Sequence, residues 1–320
     1  MHAQRQRFND VNLHAGAILG WHQHYDQMSA GSVHTELTHL TAERFQIFRE
    51  CLDQRVVQRG VAPARRFCLA MPTGLGRAGV FQGSHVEGAG VTLLHGEQEF
   101  FVHSTRGMDL LAVSVDAQRL EQLAAREFSA PELRRLTTAN RLNVSPQFLA
   151  AIRLRVQALV DAVLHGETLA EAQLEDLLLE HVLVLLEQVC QTGAQRCANV
   201  AVSAYIVRQT HQMAMASLDE PLTVLHICDA LDISRSTLQR SFLAVTGLRP
   251  VEYLRAMRLN AARQRLQCTP AEQFTVARVA NDTGFTHLGH FAGAYRALFG
   301  EPPSVTRRSG LSVQENRSRR

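Results

Sequence analysis

Arg235, Ser236, Gln239 and Arg240 lie close together in the run Ser234-Arg-Ser-Thr-Leu-Gln-Arg-Ser-Phe242. At 100° per residue, a helix that turns Leu238, Phe242 and Val245 inward presents Ser236, Gln239, Arg240 and Leu243 outward, with Arg235 flanking them. Gln can pair bidentately with adenine and Arg with guanine, so such a face suits contact with base edges in a major groove. A solvated helix face carries the same residue types, so the neighbouring elements must decide.

Those elements occur twice. Thr223-Val-Leu-His-Ile-Cys-Asp-Ala-Leu-Asp-Ile-Ser234 leads into the first run, and Thr275-Val-Ala-Arg-Val-Ala-Asn-Asp-Thr-Gly-Phe-Thr286 opens a second, 52 residues on. Each begins with Thr as an N-cap. Each pairs an apolar residue with a small one, Ile227-Cys228 and Val279-Ala280. A turn follows at Asp232 or Gly284, then an apolar plug, Ile233 or Phe285, then a hydroxyl cap, Ser234 or Thr286. The next helix buries Leu238 and Phe242, or Phe291 and Tyr295. A small residue lets two helices approach, the turn needs unusual backbone, and the plug sets the crossing angle; this is a helix-turn-helix corner. One such pattern is weak; two sharing a plan indicate an internal repeat. Between them, Pro250–Leu266 reads as one helix with Pro in its first turn. It would hold two recognition helices for successive major grooves, ~34 Å apart.

The run Arg258-Leu259-x-x-Ala262-x-x-x-Leu266, with Val279-Ala280-x-x-x-Gly284-Phe285 and Phe291-x-x-x-Tyr295-Arg296-x-x-x-Gly300-x-x-Pro303-Ser304, resembles the signature of the AraC/XylS transcription regulators over residues 204–307. The resemblance implies a seven-helix DNA-binding domain with two helix-turn-helix units, beside a cupin-like β-barrel that senses a small molecule. It implies DNA contacts from Arg235, Ser236, Gln239 and Arg240 in the first unit. In the second, the outward positions are Gly289, Ala292, Gly293 and Arg296. The family commonly has Arg where Gly293 stands, so this unit is expected mainly to position the protein. Thr286, His287, His290 and Arg296 would lie against phosphate, with Ala292 near a thymine methyl. Trp21–Met28, Gln46–Glu50, Thr223–Cys228, Arg258–Ala261 and Gly284–Ala292 resemble, within that family, activators of ethanolamine-utilisation operons, which respond to ethanolamine together with a cobalamin.

All 33 basic residues are Arg, a bias that base composition alone can produce. Residues 200–320 hold 15 Arg against 9 acidic residues, whereas residues 1–199 hold 18 against 21. The basic third suggests an anionic partner. Hydrophobic residues at 46% and charged residues at 20% describe an ordinary globular chain. No apolar run reaches the ~20 residues of a membrane span. The first ten residues lack the apolar core of a secretion signal, so a cytoplasmic protein is expected. Six scattered Cys without a C-x-x-C pair argue against a zinc finger or a disulfide framework.

The expected fold is α+β and multidomain. Residues 1–20 read as a flexible arm and 21–144 as the cupin-like sensor, with strands at Phe67–Met71, Val91–Leu94, Phe100–Val102 and Leu110–Val115. Asp116 would cap a helix carrying Leu120 and Leu123. Residues 145–191 read as a helical hairpin, capped by Ser145 with Pro146 at its first position and stopped at Gly166. Its stripe Leu177–Leu186 suits internal packing and dimerisation equally. Residues 192–203 read as a linker, 204–307 as the DNA-binding domain and 308–320 as a basic tail.

The sequence supports no catalytic residues and no cofactor. His85-x-Glu87, His95-x-Glu97, His103 and His22-x-His24 lack the compact His/Glu spacing of a cupin metal site, so no metal is expected. If the effector is a cationic amine, its pocket needs a carboxylate or aromatic face; Trp21, Tyr25, Asp26, Glu36 and Glu50 have that chemistry. Two alternatives are a metal-dependent cupin enzyme and an alkyl-accepting DNA-repair protein, the latter needing activated Cys51 or Cys68; a structural nucleoid protein is a third. The expected partners are duplex DNA, a small effector, RNA polymerase and a second copy of the chain, with no membrane.

Overall fold

Short apolar runs, several buried along nearly their whole length, build most strands of two antiparallel sheets. The computed structural model describes every residue except 73–78, 83, 87–89, 168–169, 193–200, 219–221, 271–273 and 309–320. The chain divides into two units, Met1–Tyr25 with Val33–Ala201 and Asp26–Ser32 with Val202–Arg320. The expected linker at 192–203 and the basic tail at 308–320 fall mostly outside the described residues. No described helix is long and apolar enough to cross a membrane.

The strands are β1 (His2–Phe8), β2 (His22–Gln27), β3 (Thr35–Thr41), β4 (Phe45–Leu52), β5 (Val56–Val61), β6 (Arg66–Pro72), β7 (Gly79–Phe81), β8 (Ser84–Val86), β9 (Gly90–His95), β10 (Glu99–Ser104), β11 (Met108–Asp116) and β12 (Arg141–Asn143). The larger sheet runs β1-β3-β4-β11-β6-β9-β12 and the smaller β2-β5-β10-β7-β8. Neither order returns on itself, so the two sheets do not join into the closed barrel expected for 21–144. Residues 2–8, expected as a loose arm, form β1 and pair with β3 along their whole length, from His2 opposite Thr41 to Phe8 opposite Thr35. A short helix, α1 (Val11–Gly16), follows, capped by Asp10.

Helices explain why closure is unnecessary. One face of the larger sheet, including Phe45, Ile47, Met71, Leu93 and Val113, belongs to one apolar cluster with the helices beside it. These are α2 (Ala117–Glu127), capped by Asp116 as expected, α3 (Ala130–Thr138), α4 (Pro146–Leu164) and α5 (Glu171–Thr192). Ser145 caps α4 ahead of Pro146, and Gly166 follows it in the left-handed region. In α5 the stripe is spent inward: Leu178, Leu179, Val182, Leu185 and Leu186 are buried in that cluster. Leu177 and Val184 are exposed.

The second unit is helical: α6 (Ala201–Ala216), α7 (Val224–Leu231), α8 (Arg235–Thr246), α9 (Pro250–Cys268), α10 (Val276–Asp282) and α11 (Leu288–Phe299). Its core gathers Ile227, Leu238, Phe242, Tyr253, Leu266, Val279, Phe291 and Tyr295, all inaccessible to solvent. Residues 26–32 belong to it. The Gln27 amide N–H donates to Asn260 Oδ1 at 2.9 Å, and Asn260 Nδ2 donates to the Gln27 carbonyl at 2.8 Å. Gln27 Nε2 also reaches the Leu298 carbonyl at 2.7 Å.

Candidate nucleic-acid interface

The first corner is built from its caps. Thr223 Oγ1 accepts the His226 amide at 3.2 Å and starts α7. Ile227 and Cys228 are buried at the crossing. Asp232 then takes a left-handed conformation, φ 51° and ψ 50°, which Asp tolerates better than most side chains. The Ile233 amide returns to the Cys228 carbonyl at 3.0 Å. Ser234 Oγ accepts the Thr237 amide at 3.1 Å and restarts the chain as α8. Leu238, Phe242 and Val245 face inward, with the Phe242 ring edge-on to Tyr253 at 5.2 Å. Arg235, Ser236, Gln239 and Arg240 are all exposed.

The second corner follows the same plan with one residue more. Thr275 Oγ1 accepts the Arg278 amide at 3.1 Å, and Val279 and Ala280 are fully buried. Gly284 turns with φ 76°, and the Phe285 amide donates to the Ala280 carbonyl at 2.9 Å. The Phe285 ring lies 5.1 Å from that of Phe291. The cap differs from expectation: α11 is capped at His287, not Thr286, and without a side-chain hydrogen bond. The reason is spacing. Leu238 is buried four residues after Ser234, and Phe291 is buried four residues after His287.

The exposed groups of α11 are correspondingly sparse. Thr286, His287, His290, Gly289, Gly293 and Arg296 are exposed and Ala292 is half-buried. A Cβ added at Gly289 or Gly293 would meet nothing within 4 Å. Packing within the unit therefore does not require either glycine.

Helix α9 fixes the second turn with its arginines. Arg258 lies 4.9 Å over the Phe285 ring and donates to the Gly284 carbonyl at 3.1 Å. Burial, and then the neighbouring Arg255, lower its pKa. Arg263 pairs with Glu301 at 2.8 Å and Arg265 with Asp282 at 3.1 Å. Three of the four arginines that the sequence spreads around this helix thus hold the unit together. Arg255 is exposed.

In the first unit, three of the five candidate effector-contacting residues come together. Trp21, Tyr25 and Glu50 line one cavity of about 70 Å³. Glu50 is buried and accepts the Tyr25 hydroxyl at 2.6 Å and His14 Nε2 at 3.0 Å, both on Oε1. Burial, reinforced by Glu50, raises the Tyr25 pKa well above its ordinary value, so its hydroxyl keeps its proton and donates. Asp26 belongs to the second unit, and Glu36 pairs with Arg7 at 3.0 Å. Burial pushes the Cys51 and Cys68 thiols up to about 11, the direction opposite to the activation an alkyl acceptor needs. Among the described residues no three His, Cys, Asp or Glu side chains are grouped to hold a metal ion. The His85 and Glu87 side chains lie outside those described.

Residues 227–309 match a family described as a helix-turn-helix domain. The chain carries an AraC-type DNA-binding domain. It is 35% identical over 100 residues to a probable thc operon regulatory protein of Rhodococcus erythropolis, covering 31% of this chain and 30% of that protein. It is 28% identical over 139 residues to the transcriptional activator RhaS of Pectobacterium carotovorum, covering 42% and 46%. A solved AraC-type regulator from Chromobacterium violaceum is 31% identical, covers 33% of this chain and 93% of its own, and gives a TM-score of 0.31. The chain thus spans less than half the length of these two curated relatives.

The second unit also includes a segment its sequence pattern did not announce. Residues 26–32 carry neither helical nor strand periodicity, yet Gln27 and Asn260 are each only 2% exposed and satisfy one another's polar groups. A buried Asn in a long helix is the one signal that asked for a partner.

Proposed function

We propose that the chain is a ligand-responsive DNA-binding regulator that activates transcription. The observation that carries this reading is the repeated corner: two capped helix pairs of one plan, the first presenting Arg235, Ser236, Gln239 and Arg240 to solvent. In this reading Gln239 and Arg240 read base edges, and Thr286, His287, His290 and Arg296 contact phosphate beside Ala292. Arg255 is the member of the linker helix available for a further phosphate. The cupin-like, β-rich first unit holds the effector, and occupancy shifts a two-state equilibrium that governs DNA binding. The narrower likeness makes that effector a small amine, ethanolamine among the candidates. RNA polymerase is the partner of an activator, and the cytoplasm its place of action. Self-association would use the exposed remainder of α5, Leu177 and Val184.

The test is a selection of random duplexes by the full chain, followed by footprinting. Recovery of a discrete site protected over two successive major grooves is expected; sequence-independent coating would contradict the reading. A thermal-shift screen with small amines, amino alcohols and cobalamins tests the effector, since a bound ligand raises the midpoint by linkage.

A further inference from the structure

A trough of about 600 Å³ opens among the helices of the first unit, between α2, α3 and α5. Along α5 it takes Asp176, Leu179, Glu180, Leu183, Val184 and Glu187, whose spacing of three and four residues puts them on one face of that helix. Leu123 and Glu127 of α2, Phe128 and Glu132 of α3 complete it. The floor is apolar: Phe128 and Leu179 are buried, Leu123 and Leu183 are half-buried, and Val184 is 37% exposed. Leu123, Leu183 and Val184 thus keep apolar surface that the unit's own helices leave uncovered.

The rim has one sign. Every charged residue among the described lining is acidic: Glu127, Glu132, Asp176, Glu180 and Glu187. Asp176 pairs with Arg119 at 2.5 Å. The Ser129 hydroxyl and amide donate to Glu132 at 2.6 and 2.8 Å, lower its pKa and keep it a carboxylate. Glu127 and Glu180 are exposed, and neither has an ion-pair partner among the described residues. The rim therefore offers negative charge that the fold itself does not neutralise.

We propose that this trough is a docking site for an amphipathic helix of another protein, one whose apolar face is flanked by Lys or Arg. Nucleic acid is the wrong occupant, because the rim repels phosphate. A small amine is also wrong, because it would meet a rim carboxylate and leave the floor in water. A basic amphipathic helix meets both, with apolar residues at i, i+3, i+4 and i+7 on the floor and cations against the rim. From Asp176 to Glu187 is ~16 Å along α5, about three turns of such a helix. Charge of opposite sign guides the encounter and makes it sensitive to salt. The competing occupant is a second copy of the chain, since Val184 also belongs to the self-association face proposed above.

The experiment is selection of displayed random peptides of about 16 residues, ~24 Å as a helix, by the full chain, with the double variant Glu127→Gln, Glu180→Gln as counter-selection. The expected winners carry two or more Lys or Arg around Leu, Ile or Phe at helical spacing. The best of them, as a free labelled peptide, should bind the double variant about tenfold more weakly, the scale of two exposed charge pairs, and should weaken as salt rises. Glu167→Gln, at an exposed acid outside the trough, should change nothing. Val184→Asp separates floor from rim, because it adds a carboxylate while removing an apolar contact. Weaker peptide binding is expected; stronger binding would show attraction by charge alone and overturn the proposal. Acidic or neutral winners, or no winner that distinguishes the native chain from the double variant, would overturn it as well. Sedimentation without peptide reads the competing occupant. The same oligomeric state is expected for the native chain and the double variant, whereas a native dimer that the double variant abolishes would give the trough to a second copy and overturn the assignment.

Discussion

The two corners of the AraC-type domain share a scaffold and differ in what they offer a duplex. Counting from the buried Leu238 and Phe291, position by position, Ser236 corresponds to Gly289, Gln239 to Ala292, Arg240 to Gly293 and Leu243 to Arg296. The first helix carries long hydrogen-bonding side chains at its centre. The second carries a methyl and two hydrogens there, and its one long cation sits a turn later. The Thr caps of the first helices, the crossing residues and the plugs are repeated because both corners must fold. The exposed face is free to diverge, and under the proposed function the divergence would give base reading to α8 and placement on the phosphates to α11.

The largest effect that would sharpen this contrast is at Arg240. Arg240→Ala should remove ~1–3 kcal/mol of discrimination at one or two base pairs, measured by binding to singly substituted sites, with other positions unaffected. Arg296→Ala should weaken all sequences alike and reduce the slope of log affinity against log salt by about 1. A change in base preference with Arg296→Ala would break the comparison. Gly293→Arg asks whether α11 can be made to read. The space around its Cβ is open. A mid-helix Gly costs ~1 kcal/mol relative to ordinary helix formers. The variant should therefore raise the thermal midpoint and add a preference for guanine at a position the native chain leaves unspecified.

The smallest effects concern the caps. Ser234→Ala should cost ~1 kcal/mol by removing the Thr237 amide's partner, while His287→Ser should gain a fraction of that, because α11 has no side-chain cap. Equal losses in denaturant titrations would show that the caps are equivalent after all. The serine at 287 should also weaken DNA binding slightly if His287 lies against phosphate.

What was legible in the sequence follows from where the determinants are local. Thr223, Ser234, Thr275, Asp232 and Gly284 act within four residues of themselves, and the helices they bound were readable to within a residue or two. A hydroxyl at Thr286 suggests the cap of α11 there, whereas counting back four from Phe291 points to His287, where the helix starts. Ser145, Pro146 and Gly166 marked α4 for the same local reason. In the β-rich unit, the four apolar runs named from sequence are β6, β9, β10 and β11, whereas β1, with His2-Ala-Gln-Arg-Gln-Arg-Phe8, has no apolar alternation to show. It lies at one end of its sheet and is stabilised by a neighbour distant in sequence, which no local pattern reveals. The same holds for Gln27 with Asn260, 233 residues apart. The convergence of Trp21, Tyr25 and Glu50 on one cavity likewise needed the sheets; their chemistry alone named five candidates without grouping them.

The measurement that bears most directly on this division of labour is a duplex-selection experiment run in parallel on the native chain, Arg240→Ala and Arg296→Ala. The expected native motif has strongly specified base pairs in one major groove and weakly specified ones a helical turn away. Arg240→Ala should flatten the strong half, and Arg296→Ala should lower the yield and leave the motif unchanged. Retention of the motif by Arg240→Ala together with its loss in Arg296→Ala would contradict the assignment.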